Sequence, residues 1–264
     1  MIIRNDNITE ATIAETDFDP TTFTDIVDFW ISDYGVNKTG NVLDSWAGKL
    51  NGNLFEPISE TRGAYTSTDS DFNGYPTLSS SLTTNQGGYR TVIQAGTVNK
   101  SMIMVGKITE RLSTNAVFWL GNYNMTSTDI RFGFHNDENT TAFASWTYGT
   151  PDNSPVYLSL GTRGDTNDYF VGMINYQIPT GTIDVYSSNT STSLSKTRTY
   201  NGRTTNLQFD IAGFGGIAWP GSGGVRPYGN GAKFKMVEIV LINGTPTQQE
   251  LTSYTTYLNK RYGI

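Results

Sequence analysis

Through most of the chain, apolar and polar residues alternate in short runs, the period of a strand with one buried face. Segments 101–107, 116–120, 130–134, 141–148, 169–176, 182–186, 196–200 and 207–213 all read this way, separated by turn residues. Ahead of them, 23–31 and 42–46 are two further hydrophobic segments with a turn at 33–36 between them. The stretch 75–78 is short and extended, as Pro76 demands of its predecessor. Residues 233–242 are almost wholly apolar after Lys235, the mark of a strand buried on both faces. Asn243-Gly244 ends that run. Only then does the period change. Leu251, Tyr254, Leu258 and Tyr262 fall on one helical face, behind a Thr247-x-x-Glu250 capping box and ahead of Gly263. Lys260 and Arg261 stand where the helix dipole favours cations. The pattern predicts an all-β, two-sheet antiparallel sandwich closed by one short C-terminal helix.

Two stretches depart from it. Residues 1–22 are polar and acidic with scattered apolar positions, too few to order the segment alone. They are expected to form an extended N-terminal arm that docks on its own domain, 23–264, or on a neighbour. Residues 213–231 are Gly-rich and longer than a hairpin requires, and long connections without structure of their own are usually functional or disordered.

Composition narrows the function. The 264 residues are poor in charge (16 %), rich in aromatics (12 %) and carry a net charge of −6. No basic stripe of the sort nucleic-acid binding uses is present. The absence of cysteine excludes disulfides and thiolate metal sites, and a single histidine, His135, leaves little room for imidazole ligation. The first residues carry no long apolar run, and no segment reaches the length of a membrane span, so neither a signal peptide nor membrane insertion is expected.

The ends of the domain resemble a known family. Trp30-Ile-Ser-Asp-Tyr-Gly-Val36, then Val42-Leu-Asp-Ser-Trp46 running into Asn51-Gly52, then Phe72-Asn-Gly-Tyr-Pro76, resemble the opening of concanavalin A-like (laminin-G-like) jelly-roll domains. In those domains the last of these stretches is a strand. Met236-Val-Glu-Ile-Val-Leu-Ile242, Gln249-Glu-Leu251 and Tyr257-Leu-Asn-Lys-Arg-Tyr-Gly263 resemble their final strand and short helix. Ala47 stands where an acid often follows the second Trp, and the 213–231 loop is unusually long. The resemblance implies a curved two-sheet jelly roll, of a kind found in tailed-phage virion proteins and bacterial surface proteins. Its members bind glycans, hydrolyse them or pack within assemblies.

Hydrolysis needs two carboxyls across the sugar bond. The Glu-x-Asp-x-x-Glu run that hydrolases of this fold carry is missing, and Glu238, the one acid inside an apolar strand, reads as a buried structural carboxylate paired with an Arg or a backbone N–H. No catalytic residue is assigned, and His135 reads as a histidine at a strand end. For glycan or protein contact, aromatic platforms beside polar groups are the signal. Trp219, Arg226 and Tyr228 in the Gly-rich stretch form one candidate cluster, and Trp146 with Tyr148 another. Oxygen-rich turns, one with Asp137 and Glu138 and one with Asp165 and Asp168, would suit calcium rather than zinc, although such residues also build ordinary turns. No cofactor is required. The expectation is a non-enzymatic surface component of a tailed-phage virion (a decoration, fibre or tail-surface protein) that contacts other virion proteins through the arm and the 213–231 loop and binds host glycans. A lectin-like module of a bacterial surface protein and a glycan hydrolase or lyase are the alternatives.

Overall fold

The computed structural model describes residues 18–57, 62–79, 88–93, 100–110, 115–121, 131–137, 142–148, 156–162, 169–177, 182–188, 193–199, 211–214, 217–221, 224–228 and 233–264. Short strands come first: β1 (Ile26–Ile31), β2 (Val36–Thr39), β3 (Val42–Ala47), β4 (Leu54–Pro57), β5 (Ala64–Thr66), β6 (Thr77–Ser79) and β7 (Tyr89–Val92). Longer ones follow: β8 (Lys100–Glu110), β9 (Asn115–Gly121), β10 (Arg131–Asp137), β11 (Ala142–Tyr148), β12 (Val156–Thr162), β13 (Tyr169–Gln177), β14 (Thr182–Ser188) and β15 (Ser193–Thr199). The chain then runs through β16 (Ile211–Phe214), β17 (Ile217–Gly221), β18 (Gly224–Tyr228), β19 (Lys233–Ile242) and the helix α1 (Gln248–Tyr262).

The strands pair antiparallel into one curled sheet, and β17 with β18 forms a separate hairpin. One run of the sheet orders β1, β19, β8, β13, β14 and β15. A second orders β4, β7, β16, β9, β10, β11 and β12. Trp46 on β3 pairs with Phe55 on β4, and β3 connects back to β19 through β5 and β6.

β19 organises the described core. It lies between β1 and β8 and is buried along its apolar length, which explains its lack of alternation. A bulge between Met236 and Glu238 leaves Val237 without a partner on β8, and its carbonyl accepts instead from the Ser32 N–H at 2.9 Å. Val237, Val240 and Ile242 join Phe29 and Ile31 of β1 and Ile103 and Val105 of β8 under Tyr254, Leu258 and Tyr262 of α1. These helical residues recur every four positions, so one stripe of α1 meets the sheet. The capping box is closed. The Thr247 hydroxyl accepts from Glu250 N–H at 3.2 Å, and the Glu250 carboxylate accepts from Thr247 N–H at 2.7 Å. Gly263, at φ 74°, ends the helix.

Aromatic rings fill the opposite side of the same strands. Trp30 meets Phe55 at 4.6 Å between centroids, Phe55 meets Phe214 at 5.0 Å, and Phe214 stacks on Tyr89 at 5.0 Å. The Trp30 and Trp46 indoles are satisfied, Trp30 donating to the Asn53 carbonyl at 2.9 Å and Trp46 to the Ile31 carbonyl at 3.1 Å. Each fully buried ring of this kind contributes about 2–3 kcal/mol of transfer free energy.

Three expectations change. Phe72 does not begin a strand: Ser70–Phe72 is a 3-10 turn capped by the Asp69 carboxylate, and Asn73 and Gly74 follow at φ 52° and 80°. Ion pairs hold that turn down, Lys235 reaching Asp69 at 2.8 Å and Asp71 at 2.7 Å, and Lys107 reaching Asp71 at 2.8 Å. The 213–231 stretch is not structureless, since it contains the β17–β18 hairpin. Val156–Thr162 is a strand whose alternating Val156, Leu158 and Leu160 the sequence reading passes over. Of the N-terminal arm, 1–17 lie outside the described residues. Phe18 packs edge-on against Phe23, Tyr254 and Tyr257, and Pro20–Thr22 is a 3-10 turn.

Candidate functional site

The structure places the sequence candidates unequally. Trp219 on β17 and Arg226 on β18 are direct register partners, and Tyr228 sits opposite Ile217 on the same hairpin. Trp146 and Tyr148 lie on β11, opposite Gly133 and Arg131 of β10, and are part of the large sheet. Asp137 is the last residue of β10, and Glu138, Asp165 and Asp168 lie outside the described residues. Among the described residues no group of three or more acids or histidines is placed to hold a metal ion. His135 is inside β10, opposite Ala144, rather than at a strand end.

Glu238 is fully buried beneath α1. An arginine is among its partners, as the sequence suggests, but most of them are tyrosines. Three phenols donate to it, Tyr257 at 2.6 Å and Tyr262 at 2.7 Å to Oε1 and Tyr254 at 2.8 Å to Oε2. The Arg261 Nε is 3.9 Å from Oε1. Burial pushes the carboxyl up to about 7, against the pull of the three phenols and the guanidinium. Burial and the adjacent carboxylate drive the Tyr257 and Tyr262 phenols far above their ordinary range. Among the described residues no backbone N–H donates to this carboxylate.

Asp28, the second buried acid of this region, builds the loop between β3 and β4. Its Oδ1 accepts from Leu50 N–H at 3.0 Å and its Oδ2 from Asn53 N–H at 2.9 Å and Asn53 Nδ2 at 2.8 Å. Gly48 passes so close that a Cβ there would stand 2.2 Å from the carboxylate. Lys49 N–H donates to the Phe29 carbonyl at 2.7 Å, so the loop covers the outer edge of β1.

Sequence reasoning missed the cleft that these elements create. It has a volume of about 490 Å³ and opens between residues 18–20, the turn after β1, Lys49 and α1. Phe29 and Ile31 form its floor, Tyr257 and Phe18 its walls, and Asp33, Tyr34 and Arg261 much of its rim. Arg261 is ion-paired to Asp33 at 2.5 Å and lies over the Tyr75 ring at 4.1 Å.

No protein-family model matches the sequence, and no curated protein matches it. Solved structures do match in shape. A GH54 α-L-arabinofuranosidase soaked with a cyclic sulfate inhibitor superposes at a TM-score of 0.55 and 12 % identity, over 84 % of this chain and 51 % of that one. An arabinofuranosidase complexed with arabinofuranosyl-α-1,2-xylobiose gives 0.53 and 15 % over the same shares of the two chains. The enzymatically active domain of tailspike protein 2 from bacteriophage CBA120 gives 0.47 and 16 %, over 79 % of this chain and 31 % of that one. The chain therefore spans about half the length of the arabinofuranosidases, and its likeness to them is a likeness of fold.

Proposed function

We propose that this chain is a non-catalytic glycan-recognition domain, built as a concanavalin A-like two-sheet jelly roll and displayed on the surface of a tailed-phage virion. The observation that carries the reading is the β17–β18 register: Trp219 and Arg226, the two residue types most suited to a contact hot spot, occupy opposing positions on a hairpin outside the large sheet. Trp supplies an apolar face and Arg a planar donor, residue types that suit a sugar ring as well as a protein neighbour. The resemblance of both ends of the domain to virion and surface jelly rolls supports the location.

The test is a glycan array with the full chain, repeated with Trp219→Ala and Arg226→Ala. Binding to bacterial surface polysaccharide, weakened at least tenfold in each variant, is the expected result. An array without hits, or hits indifferent to both changes, overturns glycan recognition at the hairpin. Finding the protein by mass spectrometry only as a free secreted monomer overturns the virion placement.

A hydrolase has one observation in its favour, since Asp19 and Asp33 border the same cleft. Both carboxylates have other duties, however: Asp19 accepts from Thr21 N–H at 2.9 Å and Asp33 from Arg261 at 2.5 Å. Release of reducing ends from a polysaccharide, abolished by Asp33→Asn, would establish that reading in place of the first.

A further inference from the structure

We infer that the cleft beside α1 is a second binding site, separate from the β17–β18 hairpin, and that it takes one or two rings of a neutral saccharide. The inference stands on the side-chain geometry of the cleft and does not depend on recognition at the hairpin.

The rim is preorganised. Tyr34 is 49 % exposed, unusually so for a large ring, yet its backbone is fixed. Its N–H donates to the Ile31 carbonyl at 3.0 Å, and its carbonyl accepts from the Trp46 indole at 3.2 Å. The next residue, Gly35, has φ 69°, and a Cβ there would stand 2.3 Å from the Ala47 carbonyl oxygen. Only glycine lets the turn lie so tightly on the end of β3. The result is an aromatic face in water on a turn that cannot move far, at low entropic cost to a ligand. Arg261 is held equally firmly by Asp33 and by the Tyr75 ring. Tyr257 spends its hydroxyl on Glu238, which leaves its ring as the surface it offers to the cleft. Lys49 is anchored by its own N–H bond to β1.

The chemistry of the lining selects the ligand class. Two carboxylates, Asp19 and Asp33, face two cations, Lys49 and Arg261, so the cleft has no net preference for an anion or a cation. Its volume falls within the range of small-molecule sites. A sugar hydroxyl both donates and accepts, so neighbouring hydroxyls can bridge an acid–guanidinium pair such as Asp33–Arg261 without disrupting its charge balance. The C–H face of the ring packs on an aromatic such as Tyr34. A hydrophobic ligand would leave four charged groups unsolvated, and a charged one would oppose two of them.

The experiment is protein-observed NMR titration of the full chain with neutral disaccharides (cellobiose, maltose, lactose and xylobiose) and, in parallel, with glucuronic acid and glucosamine. At least one neutral disaccharide should shift resonances around the turn after β1 and the C-terminal end of α1. Tyr34→Ala should weaken that binding tenfold or more, Lys49→Ala several-fold, and Trp219→Ala not at all. Both cleft positions are exposed, so unchanged melting of the variants verifies that the fold is kept. Absence of any neutral-sugar binding at the cleft, equal affinity in Tyr34→Ala, or tenfold preference for either charged sugar overturns the assignment. Binding lost in Trp219→Ala but kept in Tyr34→Ala overturns the cleft alone, while the hairpin stands or falls separately on the glycan array with Trp219→Ala and Arg226→Ala.

Discussion

Replacing Glu238 by glutamine should change how the stability of this protein depends on pH, and the change can be worked out in advance. Inside the fold the carboxyl titrates at about 7, against an ordinary 4.5. Burial is the main cause, and the three tyrosine hydroxyls and Arg261 oppose it. Between those two pH values the folded chain holds a proton that the unfolded chain has released, so stability must fall as the pH rises through this window. The displacement corresponds to about 3 kcal/mol, nearly all of it lost by pH 8 and little of it lost below pH 4.5. A glutamine side chain has nearly the same shape and no charge at any pH. It can still accept from Tyr257 and Tyr262, and its amide hydrogens can be taken by a phenol oxygen. Urea melts of both proteins, followed by tryptophan fluorescence at pH 5, 6, 7 and 8, give the two stability curves. Trp30 and Trp46 are fully buried, so unfolding changes their emission. Subtracting the curves cancels every other titrating group. The difference should move by about 2.5 kcal/mol in favour of Glu238→Gln between pH 5 and 8. Parallel curves would refute the reasoning. So would a wild type that gains on the variant as pH rises, because the phenols and Arg261 would then outweigh burial.

Two further substitutions test the supports of the cleft. Thr247→Ala removes the hydroxyl that accepts from Glu250 N–H and one of the donors to the Glu250 carboxylate, and should cost about 1 kcal/mol in denaturant melts. An unchanged midpoint would mean that Glu250, also bonded to Thr24 N–H at 2.7 Å, holds the helix start alone. Gly48→Ala forces a methyl group into the Asp28 carboxylate and should destabilise by about 1–3 kcal/mol, with loss of the loop that covers β1. Wild-type stability, with unaltered hydrogen exchange at Leu50 and Asn53, would contradict the close approach.

The strand and helix content was readable because it is local. Tyr254, Leu258 and Tyr262 at helical spacing behind a capping box form that helix, and the apolar run of β19 is buried on both faces. The β17–β18 hairpin was not readable, because Gly221, Gly224, Pro220 and Pro227 lower strand propensity and only pairing across the hairpin sustains it. Phe72 misled for the opposite reason. Its neighbours look extended, yet Asp69 and Asp71 are tied to lysines on β8 and β19, far away in sequence. Glu238 stood out in the sequence, and the tyrosines that hold it were also visible there on the helix that follows. The missing step was tertiary: a helix joined to a strand by a short turn lies back over it, so its phenols meet the one acid on that face.

That step connects the buried acid to the cleft. Asp19, Asp33, Tyr34, Lys49 and Arg261 are ordinary surface residues one by one, and no sequence spacing relates them. They converge because α1 lies over β1 and β19, and Glu238 is the buried carboxylate that helps fix α1 in register, taking three tyrosines spread along the helix. A purely apolar stripe would bury similar area while permitting the helix to slide or rotate. The three hydroxyls meeting one carboxylate allow a single position, at the stability cost worked out above for neutral pH. The cleft wall formed by Tyr257 and Arg261 inherits that position, because the two lie one turn apart on the same side of α1 and one is bonded to the buried acid. On this argument Glu238 acts on the cleft through the helix, and its effect on ligand affinity should appear as a change in the placement of Tyr257 and Arg261 rather than as the loss of a ligand contact.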